Sequence, residues 1–175
     1  MKIEAITRNT LNLVNEIDSA FTVDSKLNIK LSDNTFAYEI EKVTPYEKSY
    51  GYDKTDYSTY INNKEKIIFL SFADNELAGQ VIIVKNWNYY ARIDDIRVEK
   101  KYRGMGAGSA LVKKTIEWAK ANNCIGVEVE TQNVNVNACL FYRKNGFVLG
   151  GANTFIYRAS ELEKNEILLN WYLLF

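Results

Sequence analysis

Tyr102-Arg103-Gly104-Met105-Gly106-Ala107-Gly108-Ser109 sets three glycines at alternate positions, after a strand-like run ending Ile96-Arg97-Val98 and at the start of a helix-like one. From Gly106 to Ala121, Leu111, Val112, Ile116 and Ala119 fall on one stripe while lysines and Glu117 fall elsewhere, which predicts an amphipathic helix. A strand that turns through bare backbone into a helix leaves the helix's first amides unpaired beside its positive pole, a ready seat for phosphate. A side chain at Gly104 or Gly106 would block that approach or resist the dihedrals it needs. The same glycines would serve a turn that only packs the helix on a sheet, and composition does not separate the two uses. Two familiar phosphate loops fail. A P-loop needs Lys-Ser/Thr after its last glycine, where this chain has Ser109-Ala110, and G-x-G-x-x-G would need glycine in place of Ser109.

Outward from the glycines the pattern alternates strands and helices. Ile67 to Ala73 and Ala78 to Val84 are short apolar runs joined by Asp74-Asn75-Glu76, which reads as a hairpin. A second turn at Asn86-Trp87-Asn88 leads into Tyr89 to Val98, giving three consecutive antiparallel strands. Beyond the amphipathic helix, Val127 to Thr131 alternates as a strand, and Asn137 to Asn145 fits a short helix stopped by Gly146. Phe147 to Tyr157 returns to strand, and the apolar tail Ile167 to Phe175 is a last one. Before the hairpin, Leu11, Val14 and Ile17 predict a helix over Asn9 to Ala20, Thr35 to Val43 alternates as a strand, and Tyr57 to Asn62 reads as a short helix. Thr44 to Asp56, with PYEKSY at its start, reads as a surface loop and a candidate lid. The order is mixed α/β.

Composition narrows the function. The 175 residues are 47% apolar, enough for one core, and we expect a single domain over 1–175. Lys plus Arg and Asp plus Glu both total 22, so charge marks neither a nucleic-acid nor a membrane binder, and the expected partner is small. The N-terminal stretch is broken by Glu4, Arg8 and Glu16 and reads as neither signal peptide nor spanning helix, and two cysteines, Cys124 and Cys139, suit a reducing compartment, so a cytoplasmic protein is expected. No histidine occurs anywhere, which excludes Ser-His-Asp and Cys-His catalysis and any His-ligated metal. A general base must then be a carboxylate, tyrosine, lysine or water, and no metal is expected.

The glycine stretch also has the form Arg-x-x-Gly-x-Gly, from Arg103 to Gly108. A second motif runs Asn135-Val136-Asn137-Ala138-Cys139-Leu140-Phe141-Tyr142-Arg143-Lys144-Asn145-Gly146-Phe147. Together, in this order, they resemble the GNAT family of acyl-CoA-dependent N-acyltransferases over roughly Phe69 to Phe147. The stretches PYEKSY, KNWNYYARIDDIRV, IEWAK, VETQNVN and NWYLLF extend the likeness over most of the chain, to the streptothricin (nourseothricin) acetyltransferases within that family. The resemblance implies a central, mostly antiparallel twisted sheet of about seven strands flanked by about four helices.

It also implies roles. Acetyl-CoA would be the co-substrate, its pyrophosphate on backbone amides of Arg103, Gly104, Met105, Gly106, Ala107, Gly108 and Ser109, its pantetheine arm along Ile96, Arg97 and Val98. Because these contacts are main-chain, replacing the side chains of Arg97 or Met105 should matter less than adding bulk at Gly106 or Gly108. Tyr142 matches the family's tyrosine that protonates the departing thiolate, with a packed core tyrosine as the plainer alternative. Asn135, Ala138 and Lys144 would help hold the cofactor or its loop, and Arg143 would be a solvated neighbour. The base stays open among Glu130, Asp94 and Asp95, with Glu130 ranked first. Strand alternation places Asp94 with Ile96 and Val98 and Asp95 opposite, unless a bulge reverses this. All three carboxylates could instead select a cationic amine, as the β-lysine chain of streptothricin is. Trp87, Tyr89, Tyr90 and the PYEKSY loop are candidate walls for the substrate. Another amine, or an acyl-CoA sensor without turnover, are the other readings, and the apolar tail is compatible with a homodimer.

Overall fold

The computed structural model describes residues 1–51 and 55–175. In chain order it forms β1 (Lys2–Ala5), β2 (Phe21–Ser32), β3 (Thr35–Lys48), β4 (Lys66–Ala73), β5 (Glu76–Lys85), β6 (Tyr90–Val98), α1 (Ala107–Ala121), β7 (Gly126–Gln132), α2 (Val136–Lys144), β8 (Val148–Asn153) and β9 (Leu168–Leu174). One mostly antiparallel sheet has the order β1-β4-β5-β6-β7-β9-β8, and β2 with β3 makes a separate two-stranded sheet. By internal contacts the chain falls into two compact units, residues 1–19, 50–127 and 174–175, and residues 20–49 and 128–173.

In the first unit β1, β4, β5 and β6 pair antiparallel in that order. Asp74 and Asn75 close the β4–β5 hairpin with φ of 50° and 64°, the mirror-image turn that matches strand twist. α1 packs on β5 and β6 through Leu111, Val112 and Ala119, all buried. It comes close at Gly79, where an added Cβ would lie 2.8 Å from the Arg97 carbonyl oxygen and 3.0 Å from Leu111 Cδ1. Glycine there is a packing requirement. A second apolar cluster of Ile6, Tyr60, Ile68, Leu70 and Ile82 gathers Leu11, Val14 and Tyr57 around it.

In the second unit β2 and β3 form a hairpin turned by Asp33 and Asn34, again with positive φ. Asn133, 5% exposed, stitches this unit. Its carbonyl accepts from the Leu27 amide at 2.8 Å, its side-chain amide donates to the Leu27 carbonyl at 3.1 Å, and its Oδ1 accepts from the Ile167 amide at 2.9 Å. Trp171, 1% exposed on β9, donates from Nε1 to Thr131 Oγ1 at 3.0 Å. β9 lies between β7 and β8 in the sheet order, so its apolar residues form an interior strand rather than a bare edge.

Several expectations need correction. Two α-helices occur among the described residues, not about four. The predicted helix over Asn9 to Ala20 is a 3-10 turn at Leu11–Leu13, because Asn15 takes φ 69° and gives its amide to Gln80 Oε1 instead of a helical carbonyl. The spacing of Leu11, Val14 and Ile17 reflects burial without a helix. Tyr57 to Asn62 is likewise a 3-10 turn at Tyr57–Tyr60. PYEK belongs to β3 rather than to a loop. Pro45 is tolerated there because the partners of β2 jump from Tyr46 to Lys42 between Val23 and Ser25, and a proline inside a bulge owes the ladder no donor. Of the proposed lid, residues 52–54 lie outside the described residues. The sequence reading also missed β1 and β2.

Candidate active site

β6 does not run evenly against β5. Ile83 faces Ile93 but Ile82 faces Asp95, which makes Asp94 the unmatched residue of a β-bulge. Pairing with Ile83, Val81 and Gly79 puts Ile93, Ile96 and Val98 on one face, and pairing with Ile82 and Gln80 puts Asp95 and Arg97 on the other. The bulge thus seats Ile93 where plain alternation would have put Asp94. A bulge also interrupts the ladder, so this is where β6 has main-chain groups to offer something other than β5.

After Val98 the chain turns through the glycine stretch. Arg103 Nε donates to the Val98 carbonyl at 3.0 Å and the Met105 amide to the Tyr102 carbonyl at 3.3 Å, which fixes the turn from within. Gly104 and Gly106 take φ of 78° and 91°, and nothing lies within 4 Å of where a Cβ on either would sit. Their requirement is therefore conformational, and the space above them is open. Gly106 caps α1, and the first helical bond runs from the Ala110 amide to the Gly106 carbonyl at 3.0 Å. The amides of Ala107, Gly108 and Ser109 thus stand in the first turn at the helix's positive end, with no acidic residue among them. Donors, dipole and open space together fit a pyrophosphate.

The carboxylates of β6 are both engaged. Asp94 is exposed and accepts from Arg92 Nε at 2.5 Å. Asp95 accepts from Arg97 Nε at 2.7 Å and from Gln80 Nε2 at 2.5 Å. Burial, reinforced by the charge of Asp94, pushes the Tyr60 phenol above its usual range. The Arg97 side chain is only 11% exposed, so it is part of the packed strand as well as of its main chain. Trp87 and Tyr89 are exposed just before β6, whose opposite end at Val98 lies about 26 Å of extended strand away.

The second unit carries the other candidates. On β7 Glu128 is buried and Glu130 exposed. Asn135 stands just before α2, and its Oδ1 accepts from the Ala138 amide at 3.2 Å, so this asparagine serves as helix cap. Tyr142 is 3% exposed, its ring edge-on to Phe141 at 5.2 Å and to Phe147 at 5.4 Å. Gly146, φ 89°, ends α2, and Lys144 is exposed in its last turn. Arg143 is exposed, as expected of a solvated neighbour, and donates to the Tyr38 hydroxyl at 2.8 Å while lying over its ring.

Two polar groupings near the candidate site residues of this unit escaped the sequence reading. The Tyr157 hydroxyl accepts from Gln132 Nε2 at 2.9 Å. Burial pushes its phenol above the usual range; the Gln132 bond opposes this, and the charges of Glu130, Glu166 and Glu163 add to it. Lys48 and Glu166 form a buried ion pair, at the side of a cavity of about 400 Å³ also lined by Tyr46, Glu47, Glu161 and Lys164. Only Gln80, a lone amide in the apolar run LAGQVIIV, gave a local signal that could have been read.

The sequence model of the Acetyltransferase (GNAT) family matches residues 34–147, a span that holds both the glycine stretch and α2. The chain belongs to this family. As a GNAT member it is an acetyl-CoA-dependent N-acetyltransferase. Streptothricin acetyltransferase A of Bacillus subtilis (strain 168) is 38% identical to it over 173 residues, covering 98% of this chain and 97% of that protein. Streptothricin acetyltransferase of Escherichia coli is 31% identical over 172 residues, covering 98% and 95%. A crystal structure of a candidate streptothricin acetyltransferase from Bacillus anthracis str. Ames, in complex with acetyl coenzyme A, superposes with a TM-score of 0.93 at 40% identity over 99% of both chains.

Proposed function

We propose that this GNAT enzyme acetylates an amine of the β-lysine chain of streptothricin-type antibiotics, a resistance activity, and that residues 1–175 act as one catalytic domain. The observation that carries the substrate is likeness to two streptothricin acetyltransferases over nearly the whole chain, including the stretches outside the motifs that any GNAT member would share. Acetyl-CoA supplies the activated thioester.

The residues divide the work by chemistry. The amides from Arg103 to Ser109 bind the pyrophosphate, and the main chain of Ile96 to Val98 holds the pantetheine arm. Main-chain N–H groups at the Asp94 bulge polarise the carbonyl under attack, and a preorganised donor of this kind is worth about 2.7–4 kcal/mol of barrier. Tyr142, held by two flanking rings, keeps its proton for the departing thiolate. A cationic amine must lose a proton before it attacks. Glu130, exposed on β7 beside Tyr157, takes it directly or through water, with Asp94 as the second choice. Asn135 and Ala138 shape the start of α2, and Lys144 stands ready for the adenosine phosphates. The carboxylates around Tyr157 and Lys48 favour a cationic acceptor over an anionic one.

The test is direct. Purified protein with acetyl-CoA and a panel of amines is followed by thiol release and product mass. Release with streptothricin, with the acetyl group on its β-lysine, is the expected result; release with a polyamine or an aminoglycoside but none with streptothricin overturns the substrate.

A further inference from the structure

We infer that Asp95 is a positioning residue rather than the base: with Gln80, Asn15 and Arg97 it forms a part-buried polar clamp that fixes β6 beside its bulge. Gln80 is 0% exposed in an otherwise apolar strand, a placement tolerated only when its amide is fully met. It is met. Oε1 accepts from the Asn15 amide at 2.8 Å, and Nε2 donates to Asn15 Oδ1 at 3.0 Å and to Asp95 Oδ2 at 2.5 Å. Asn15 in turn donates from Nδ2 to the Tyr57 hydroxyl at 2.9 Å, and its φ of 69° is the conformation that presents its amide and its side chain to Gln80 together.

The other oxygen of Asp95 accepts from Arg97 Nε at 2.7 Å. Arg97 reaches on to the carbonyls of Ile17 at 3.3 Å and Gly51 at 3.5 Å. A base needs an oxygen within reach of the substrate's proton. Asp95 commits one oxygen to β5 and the other to its own strand, and it follows directly on Asp94, where β6 leaves register with β5. The clamp therefore sets the main chain at the point where the thioester carbonyl must be met, and misplacing such donors by about 1 Å costs about 100-fold in rate.

The inference rests on the acetyltransferase reading, and the two fail separately. Thiol-release kinetics are measured for the wild type, Asp95→Asn and the double variant Gln80→Glu/Asp95→Asn. Asp95→Asn points an amide at the Gln80 donor and opens the clamp, so kcat should fall about 100-fold with KM for acetyl-CoA nearly unchanged and the acidic limb of the pH profile kept. The double variant reverses the polarity of the same bond, with the Asn15 side-chain amide turned over, and should regain most of the lost rate. A wild-type kcat in Asp95→Asn, or a loss that the double variant does not repair, overturns the inference; a lost acidic limb would make Asp95 the base. Should the double variant not fold, Arg97→Lys decides: it keeps a charge for Asp95 but gives up the two carbonyls, and an unchanged kcat overturns the clamp. If the wild type releases no thiol with any amine, the acetyltransferase reading falls, and the clamp is then judged by thermal unfolding, lowered in Asp95→Asn and restored in the double variant.

Discussion

Residues 94–109 and residues 130–147 are built of different chemical material. The first stretch offers main-chain amides, a bulge and two glycines at positive φ, and its side chains serve to shape the turn. The second offers side chains: a phenol packed between two rings, an exposed carboxylate, a capping asparagine. A ligand held by backbone is indifferent to most substitutions and intolerant of those that change dihedrals. A reaction run by side chains has the opposite profile. The two stretches should therefore answer mutation differently, one in cofactor affinity and the other in turnover.

The largest effect should come from Tyr142→Phe. It removes one oxygen and leaves the ring packing, so kcat should fall by about 10²–10⁴ while acetyl-CoA binding, followed by calorimetry, hardly changes. Unchanged turnover would return Tyr142 to the core and erase the contrast. Next comes Gly106→Ala, which forces a side chain into φ 91° at a cost of about 1–2 kcal/mol, a weakening of acetyl-CoA binding by roughly 5–30-fold. Met105→Ala, one residue away and exposed, should be near neutral in the same titration. Equal losses at both would mean that the loop works through its side chains. Gly79→Ala acts on folding rather than binding, since its Cβ meets backbone at 2.8 Å; about 1–3 kcal/mol of stability should be lost in urea unfolding.

The smallest effect concerns pH. Burial pushes the Cys139 thiol up to about 11, only partly offset by its bond with Thr131. The fold thus holds this proton more tightly than the unfolded chain does. Its contribution to stability is complete below about pH 9 and lost as pH climbs through about 11. The native thiol should resist alkylation at pH 8, and Cys139→Ala should flatten part of the decline in unfolding free energy between pH 9 and 11. Rapid labelling in the native state would show α2 opening where the ring packing of Tyr142 says it is held.

Local chemistry explains which parts of this could be read in advance. The β4–β5 turn, the glycine stretch, α1 and the stop at Gly146 each carry their signal within a few residues, and they appear in the structure within a residue or two of their predicted bounds. Leu11, Val14 and Ile17 misled because a period near three marks burial as well as helix, and the deciding bond, from Asn15 to Gln80, spans 65 positions. Pro45 hid the length of β3 because its tolerance depends on a bulge set by β2. Among the candidate site residues the resemblance pointed to Tyr142 and Glu130, whereas Tyr157 stood unmarked, since its surroundings come from β7 and from residues 163–166. The partners of Asp95 were equally invisible, though its face, opposite Ile96, follows from alternation; the bulge, foreseen as a complication, displaces Asp94 instead.

The clamp around Gln80 also says something about how the chain comes into being. Asn15 must wait for Gln80, and Ile17 for Arg97, 80 positions later. At about 5–20 residues per second, synthesis leaves the N-terminal segment without its partners for roughly 4–16 s. For that interval Leu11, Val14 and Ile17 are an apolar ribbon without a sheet to cover them, and β1 has no β4 to pair with. The nascent chain is thus most vulnerable to aggregation and chaperone capture before β4 emerges, and a fusion that delays residues 66–97 would be expected to lower yield before it touched activity.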